Sequence, residues 1–137
     1  MSPNEIMTVK QSWAKVVPIS EQAANLFYTR LFEVYPEVKP YFKGDMQLQG
    51  RKLMNMIDMA VNSLDDLDPM LEAIRDSGKR HAGYGVKTED YDKVADALLW
   101  TLEQGLGEAF TDEVRHAWVS TYTALSSVMK SGVADHP

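Results

Sequence analysis

The residues of this sequence with the widest chemical scope are its three histidines. His136 lies in the C-terminal tail, and His116 follows Arg115 in a helix of mixed polarity, where we expect a solvent-exposed side chain. His81 differs, because it continues an apolar stripe and precedes a glycine-rich break. A histidine in that setting is either a core residue hydrogen-bonded to a carbonyl or an axial ligand that presents a neutral imidazole to a haem iron.

Other catalytic or metal chemistry has little support in the sequence. The chain has no cysteine, which excludes disulfides, thiolate zinc sites, cysteine-ligated iron–sulfur clusters and a cysteine nucleophile. No further ligands at the short spacing of a zinc site flank His81. No Ser–His–Asp order and no glycine-rich phosphate loop stands out. His81 is therefore the strongest candidate for a functional residue.

The elements that must position His81 are helices. Hydrophobic residues recur at helical spacing through most of the chain, and no stretch alternates apolar and polar residues between hairpin turns. The inward stripes are expected to include Val17, Val34 and Met56. The expected helices begin at a Ser2–Glu5 capping box, at about 20, at about 46, at Asp68-Pro69, at the cap Thr88-Glu89-Asp90 and at the cap Thr111-Asp112-Glu113. The sequence predicts an all-α fold.

Length and charge restrict the class of protein. The 137 residues suit a single domain over 1–137, with a frayed tail at 132–137. Fourteen Lys and Arg against 20 Asp and Glu give a net charge of −6, which disfavours nucleic-acid binding. No apolar run reaches the roughly 18 residues of a membrane span. No secretory signal follows Met1, so we expect a cytoplasmic protein. Any electron-supplying domain would have to come from another molecule.

A series of motifs resembles the globin family. Pro36 is followed by Phe42 six residues later, then by Gln49 and Leu53 on the next helix, and then by His81. Further matching segments are Leu26-Phe27-Tyr28, Arg51–Met54, Gly78–His81, Tyr84-Gly85-Val86 and Glu113–Tyr122. Their order and spacing cover residues 2–130 and are most similar to single-domain bacterial haemoglobins and to the haem domain of flavohaemoglobins. Truncated haemoglobins fit less well, because this chain has a full first helix.

The resemblance implies a globin fold around a buried haem b and assigns a role to each matching residue. His81 corresponds to the proximal ligand of the iron. On the distal side, Tyr28 and Gln49 would donate hydrogen bonds to dioxygen, and Leu53 would close the ligand site. The remaining haem contacts implied by the family are Phe42 on the haem face, Val86 at the haem edge, Val94 below the haem, and Lys52, Lys79 and Arg80 toward the propionates.

Two further residues match a proximal pattern of the flavohaemoglobins. Tyr91 lies ten residues after His81, and Glu113 lies in the first turn of the last helix. A carboxylate hydrogen-bonded toward the free ring nitrogen would push electron density onto iron and favour oxygen activation. Alternatively, Glu113 is only an acid that stabilises a helix start. Gln49 has an alternative too, as a solvent-facing residue after a loop that contains Gly44.

These residues leave three functions open. The first is reversible binding of dioxygen and other diatomic ligands. The second is a nitric oxide dioxygenase that depends on a separate reductase, so enzymatic activity is uncertain. The third is a helical interaction module without haem, which would show no Soret band. We expect a monomer or a weak dimer.

Overall fold

A computed structural model describes residues 2–83, 87 and 89–134, apart from the side chains of residues 83 and 132–134. The described residues form six α-helices and no strand, which confirms the all-α prediction. Short 3₁₀ turns occupy Val17–Ile19, Pro36–Tyr41, Asp68–Met70 and Gly107–Ala109. The helices are α1 (Pro3–Val16), α2 (Ser20–Val34), α3 (Met46–Asn62), α4 (Leu71–Gly83), α5 (Asp90–Leu106) and α6 (Asp112–Ala134). Val86, Thr88 and His136, to which the sequence assigned roles or positions, lie outside the described residues.

Side-chain caps fix several helix starts. The predicted capping box of α1 is present: the amide of Glu5 donates to Ser2 Oγ at 3.2 Å, and the amide of Ser2 donates to Glu5 Oε1 at 3.3 Å. Thr111 caps α6 by accepting from the amide of Val114 at 3.3 Å. A 3₁₀ turn precedes α4, which begins at Leu71 rather than at the predicted Asp68-Pro69.

The core lies mainly between α1, α2, α5 and α6, with α1 on α6 and α2 on α5, and Met54 and Val61 of α3 also belong to it. The indoles of Trp13 and Trp118 meet there, with ring centroids 6.0 Å apart. The Trp118 indole N–H donates to Ser12 Oγ at 2.8 Å, so its buried polar group is satisfied. The prediction that Val17, Val34 and Met56 face inward was wrong. These three residues lie at the margins of their stripes and are exposed.

His81 lies on α4, and α3 is the helix that precedes α4 in the chain. The two helices touch where the Ser77 hydroxyl donates to Met56 Sδ at 4.0 Å. Residues 63–70 join the C-terminal end of α3 to the N-terminal end of α4. The N-terminal half of α3 and the C-terminal turns of α4 are therefore the parts of the two helices farthest along the chain from this connecting segment. Helix α4 itself packs along α6, where a Cβ at Gly78 would collide with the backbone of Met129. None of the described helices is long and apolar enough to cross a membrane.

Candidate functional site

His81 lies in the last turns of α4 and is half-buried. Its Nδ1 lies 2.6 Å from the carbonyl oxygen of Ser77, four residues earlier on the same helix. Because a carbonyl only accepts, Nδ1 carries the hydrogen and donates it. The lone pair of a neutral imidazole is then on Nε2, which is the arrangement found in metal-bound histidines. The structure thus gives His81 the carbonyl partner of a core histidine, and within the part of the chain that the structure describes no hydrogen bond is made by Nε2, the nitrogen that a ligand would use.

Tyr28 supplies a buried hydroxyl near the start of α3. Its O–H donates to the backbone carbonyl of Gln49 across a long 3.3 Å contact. Its ring is enclosed by the rings of Phe27, Phe32 and Phe42, with centroid distances of 5.1, 5.8 and 5.3 Å. Burial among these rings raises the pKa of Tyr28 to about 12, because the phenolate would lose its hydration. The hydroxyl therefore stays protonated and can donate a hydrogen bond over the whole physiological pH range.

The position of Gln49 follows from a close helix crossing. Gly50 is buried, and a Cβ built on it would lie 3.0 Å from the Cβ of Ala24. Ala24 lies one turn before Tyr28 on α2, and Gly50 directly follows Gln49 on α3. Because these two helices touch at Ala24 and Gly50, the Gln49 carbonyl comes within reach of the Tyr28 hydroxyl. The side chain of Gln49 is half-buried, and its Nε2 donates to the Lys43 carbonyl at 3.5 Å, the limit of a hydrogen bond.

The loop before Gln49 has its own local order. Gly44 adopts a φ of +92°, which a glycine tolerates without steric strain. The next residue, Asp45, caps α3 by accepting from the amide of Gln47 at 2.9 Å. The sequence indicated only a loop that contains Gly44 before Gln49. The cap shows that this loop also fixes where α3 begins.

The side chains expected around the cofactor combine apolar surface with residual exposure. Phe42, Leu53 and Val94 all pack against the core and yet remain only partly buried. A flat apolar ring would complete their burial, and Nε2 of His81 would be the nitrogen donor that a haem iron takes. Lys52 on α3 and Arg80 on α4 are exposed and free to approach anionic propionates. Lys79 instead lies 3.8 Å from Asp76. The residues present fit haem.

Tyr91 and Glu113, the predicted proximal pair, are arranged differently from Tyr28 and Gln49. Tyr91 is buried, which raises the pKa of its phenol, and its backbone carbonyl accepts from the Tyr122 hydroxyl at 2.5 Å. Glu113 is exposed in the first turn of α6. Among the described residues, no hydrogen bond joins Glu113 to Tyr91 or to His81, whose Nδ1 is paired with the Ser77 carbonyl. A relay through Tyr91 and Glu113 therefore remains a prediction.

Three contacts near the site were not identified from the sequence. Ser77 binds His81 through its carbonyl, a partner that the i−4 position on a helix supplies without any motif. Asp90 is buried and accepts from the amide of Lys87 and from Lys93 Nζ, both at 2.9 Å. Lys93 also lies 3.3 Å from Glu37, so this cluster ties α5 to the 3₁₀ turn before Phe42.

His116, expected on the surface, is exposed.

Comparison with known proteins identifies the family. A family model described as Globin matches residues 25–129. The neuroglobin of Danio rerio is 30% identical over 140 residues, which cover 92% of this chain and 88% of the relative. The chain belongs to the globin family. The neuroglobin of Chaenocephalus aceratus is 28% identical over 148 residues, which cover 98% of this globin and 93% of the relative.

Solved structures give the same fold for this globin. An engineered carbene transferase variant of RmaNOD, a putative nitric oxide dioxygenase from Rhodothermus marinus, superposes with a TM-score of 0.89 at 25% identity and covers 98% of this chain and 94% of that one. A hexacoordinated haem protein from an anhydrobiotic tardigrade superposes with a TM-score of 0.87 at 16% identity, covers 96% and 94% of the two chains, and supports the fold alone. This protein is a haem-binding globin that takes small diatomic ligands. The bacterial subgroup remains a prediction.

Proposed function

We propose that this globin binds dioxygen reversibly at haem b, with His81 as the proximal ligand and with Tyr28 and Gln49 as distal hydrogen-bond donors. The observation that carries this proposal is the 2.6 Å pairing of His81 Nδ1 with the Ser77 carbonyl, which fixes the tautomer and orients Nε2. Bound haem supplies the ferrous iron to which a diatomic ligand attaches.

The proximal hydrogen bond favours binding over activation. A carbonyl acceptor leaves the proton on Nδ1 and gives the ring no imidazolate character. A carboxylate acceptor would draw that proton and give the ring more imidazolate character, which favours oxygen activation. The exposure of Glu113 leaves the Ser77 carbonyl as the acceptor that His81 uses. This arrangement supports reversible dioxygen binding as the main function.

The distal donors can serve a ligand at small cost to the protein. The Tyr28 hydroxyl is held by a 3.3 Å bond and the Gln49 amide by a 3.5 Å bond, both longer than the usual range. Either donor can therefore exchange its present acceptor for the outer oxygen of dioxygen with little loss. The aromatic rings around Tyr28 exclude water, which strengthens a hydrogen bond made there.

The other predicted contacts would hold the cofactor and set its orientation. Phe42, Leu53, Val86 and Val94 would bury the apolar ring. Lys52 and Arg80 would pair with the propionates, and because both are exposed each pair would contribute only about 0–1 kcal/mol to haem affinity. Apolar burial and the His81 bond therefore dominate haem retention in this proposal.

The alternative is a nitric oxide dioxygenase that works with a separate reductase. The similarity to a putative nitric oxide dioxygenase, at a TM-score of 0.89, supports this alternative. It would require re-reduction of ferric iron by a partner protein, and it gives Tyr91 and Glu113 a role as the proximal relay. A cytoplasmic location and a monomeric or weakly dimeric state belong to both versions of the proposal.

An absorption spectrum of the purified protein tests the ligand assignment. We expect a Soret band, and a ferrous spectrum that changes when His81 is replaced by alanine. His116→Ala is the matched control, because His116 is exposed on α6 and should leave the spectrum unchanged. A ferrous spectrum that survives His81→Ala would refute the proximal assignment.

A stopped-flow experiment separates the two functions. The oxygenated ferrous protein is mixed with nitric oxide, and recovery is followed in the presence of a cellular reductase. Oxidation without recovery supports reversible binding as the role. Sustained turnover that falls in Glu113→Gln, while Glu108→Gln on the neighbouring turn has no effect, supports the dioxygenase and its relay.

A further inference from the structure

An exposed methionine is linked to the proximal histidine through one residue. The Ser77 hydroxyl donates to Met56 Sδ on α3 at 4.0 Å, and the Ser77 carbonyl accepts from His81 Nδ1 at 2.6 Å. Ser77 itself is buried, whereas Met56 is 42% exposed. A side chain open to solvent therefore contacts the same residue that orients the imidazole.

We propose that Met56 is a site of oxidation to methionine sulfoxide, and that this modification alters the α3–α4 contact at Ser77 and thereby the hydrogen bond that orients His81. The inference rests on the proposed function only where it concerns the haem ligand, since the modification itself is a property of the chain.

The chemistry needs only a two-electron oxidant such as hydrogen peroxide. The thioether sulfur forms a bond to one peroxide oxygen as the O–O bond breaks. The sulfur is oxidised by two electrons, and the other peroxide oxygen is reduced and leaves as water. Methionine sulfoxide reductases reverse this modification, so the change can act as a switch.

The contact at Ser77 is one that oxidation alters strongly. A thioether is a weak acceptor and packs as an apolar group, whereas a sulfoxide is polar and draws water to itself. Water at this point competes for the Ser77 hydroxyl and loosens α3 from α4 at the level of the turn that carries the His81 acceptor. Because α4 is also held by α6 at Gly78, we expect a local change in the turns around residues 77–83 rather than unfolding.

Met59 provides the matched comparison. It lies one turn further along α3 and is 56% exposed, more than Met56. Among the described residues, no hydrogen bond joins its side chain to α4. Met59 should therefore oxidise at least as readily as Met56 while leaving His81 unaffected.

The test treats the ferrous carbon-monoxide form of the whole protein with hydrogen peroxide, because carbon monoxide then occupies the iron. Peptide mass spectrometry measures sulfoxide at Met56 and Met59. After removal of peroxide and carbon monoxide, the iron–histidine stretching band and amide hydrogen exchange of residues 77–82 are recorded. We expect sulfoxide at both residues, a shifted band, and exchange about fivefold faster, the factor given by loss of one weak hydrogen bond.

Variants assign the effect. Met56→Leu should abolish both the band shift and the faster exchange although Met59 still oxidises, and Met59→Leu should preserve both. Met56→Gln, which places a polar acceptor at the same site, should reproduce part of the shift without peroxide. The proposal is overturned if Met59 oxidises and Met56 does not, or if Met56→Leu after peroxide treatment shows the same band shift and the same faster exchange as the wild-type chain. Failure of the haem assignment is distinguishable, because it removes the band in every variant but leaves the sulfoxide and exchange results intact.

Discussion

Replacement of Tyr28 by phenylalanine tests the distal side of the site. The change removes one hydroxyl from a ring that is enclosed by Phe27, Phe32 and Phe42, so the packing of the ring is retained. We expect dioxygen to dissociate faster from the variant, because its outer oxygen loses a donor.

The size of the effect follows from the two hydrogen bonds that the hydroxyl can make. A bond to a partly charged ligand in a dry pocket is worth about 2 kcal/mol, and the long bond to the Gln49 carbonyl that must be given up is worth about 0.5 kcal/mol. The remaining difference of about 1.5 kcal/mol corresponds to a roughly tenfold faster dissociation rate. Because burial raises the pKa of Tyr28 to about 12, the neutral donor persists and the wild-type rate should stay constant between pH 6 and about pH 10.

The assay is stopped-flow displacement of dioxygen by carbon monoxide. Tyr35→Phe is the control, since it removes a hydroxyl that donates to Asp96 at 3.1 Å on an exposed surface and should leave the rate unchanged. Thermal denaturation of both variants separates a ligand effect from loss of structure. An unchanged dissociation rate in a folded Tyr28→Phe protein would mean that this hydroxyl does not reach the ligand.

Two further predictions concern the elements that hold the site. Gly50→Val should lower the free energy of unfolding, measured by urea titration, by about 1–3 kcal/mol and weaken haem retention, because a side chain there forces α2 and α3 apart. Gly105→Ala is the control: its Cβ would make an ordinary 3.5 Å contact, so it should not destabilise the protein in the same titration. Asp90→Asn should cost about 1–2 kcal/mol at pH 7 by weakening the bonds to Lys87 and Lys93, and this cost should shrink in acid.

The acid dependence of Asp90 has a defined sign. Burial raises the pKa of this carboxyl. The Lys87 amide and the Lys93 ammonium together lower the pKa by more than burial raises it, so the folded-state pKa lies below the ordinary value. A lowered pKa contributes stability above the unfolded pKa of about 3.9 and loses it as the pH falls through the folded value. Urea midpoints of wild type and Asp90→Asn that keep the same separation from pH 7 to below pH 3 would contradict this assignment.

Local signals in the sequence accounted for most of the helices. The Ser2–Glu5 capping box, the Thr111 cap and the helical spacing of apolar residues each act over a few residues, so they can be identified without knowledge of the fold. The errors fell where a stripe ends. Val34 and Met56 have helical spacing, but whether the outermost residue of a stripe is covered depends on which helix lies opposite.

The sequence by itself determined the helical class, the family resemblance and the identity of His81 as the strongest candidate ligand, because periodicity, caps and ordered motifs are properties of neighbouring residues. Only the tertiary structure decided the partners. The close crossing at Gly50 and Ala24 brings the Gln49 carbonyl to Tyr28, although 21 positions separate the two residues in the chain. Likewise, the contact between Met56 and Ser77 arises from the packing of two helices, a distance relation that no local pattern encodes.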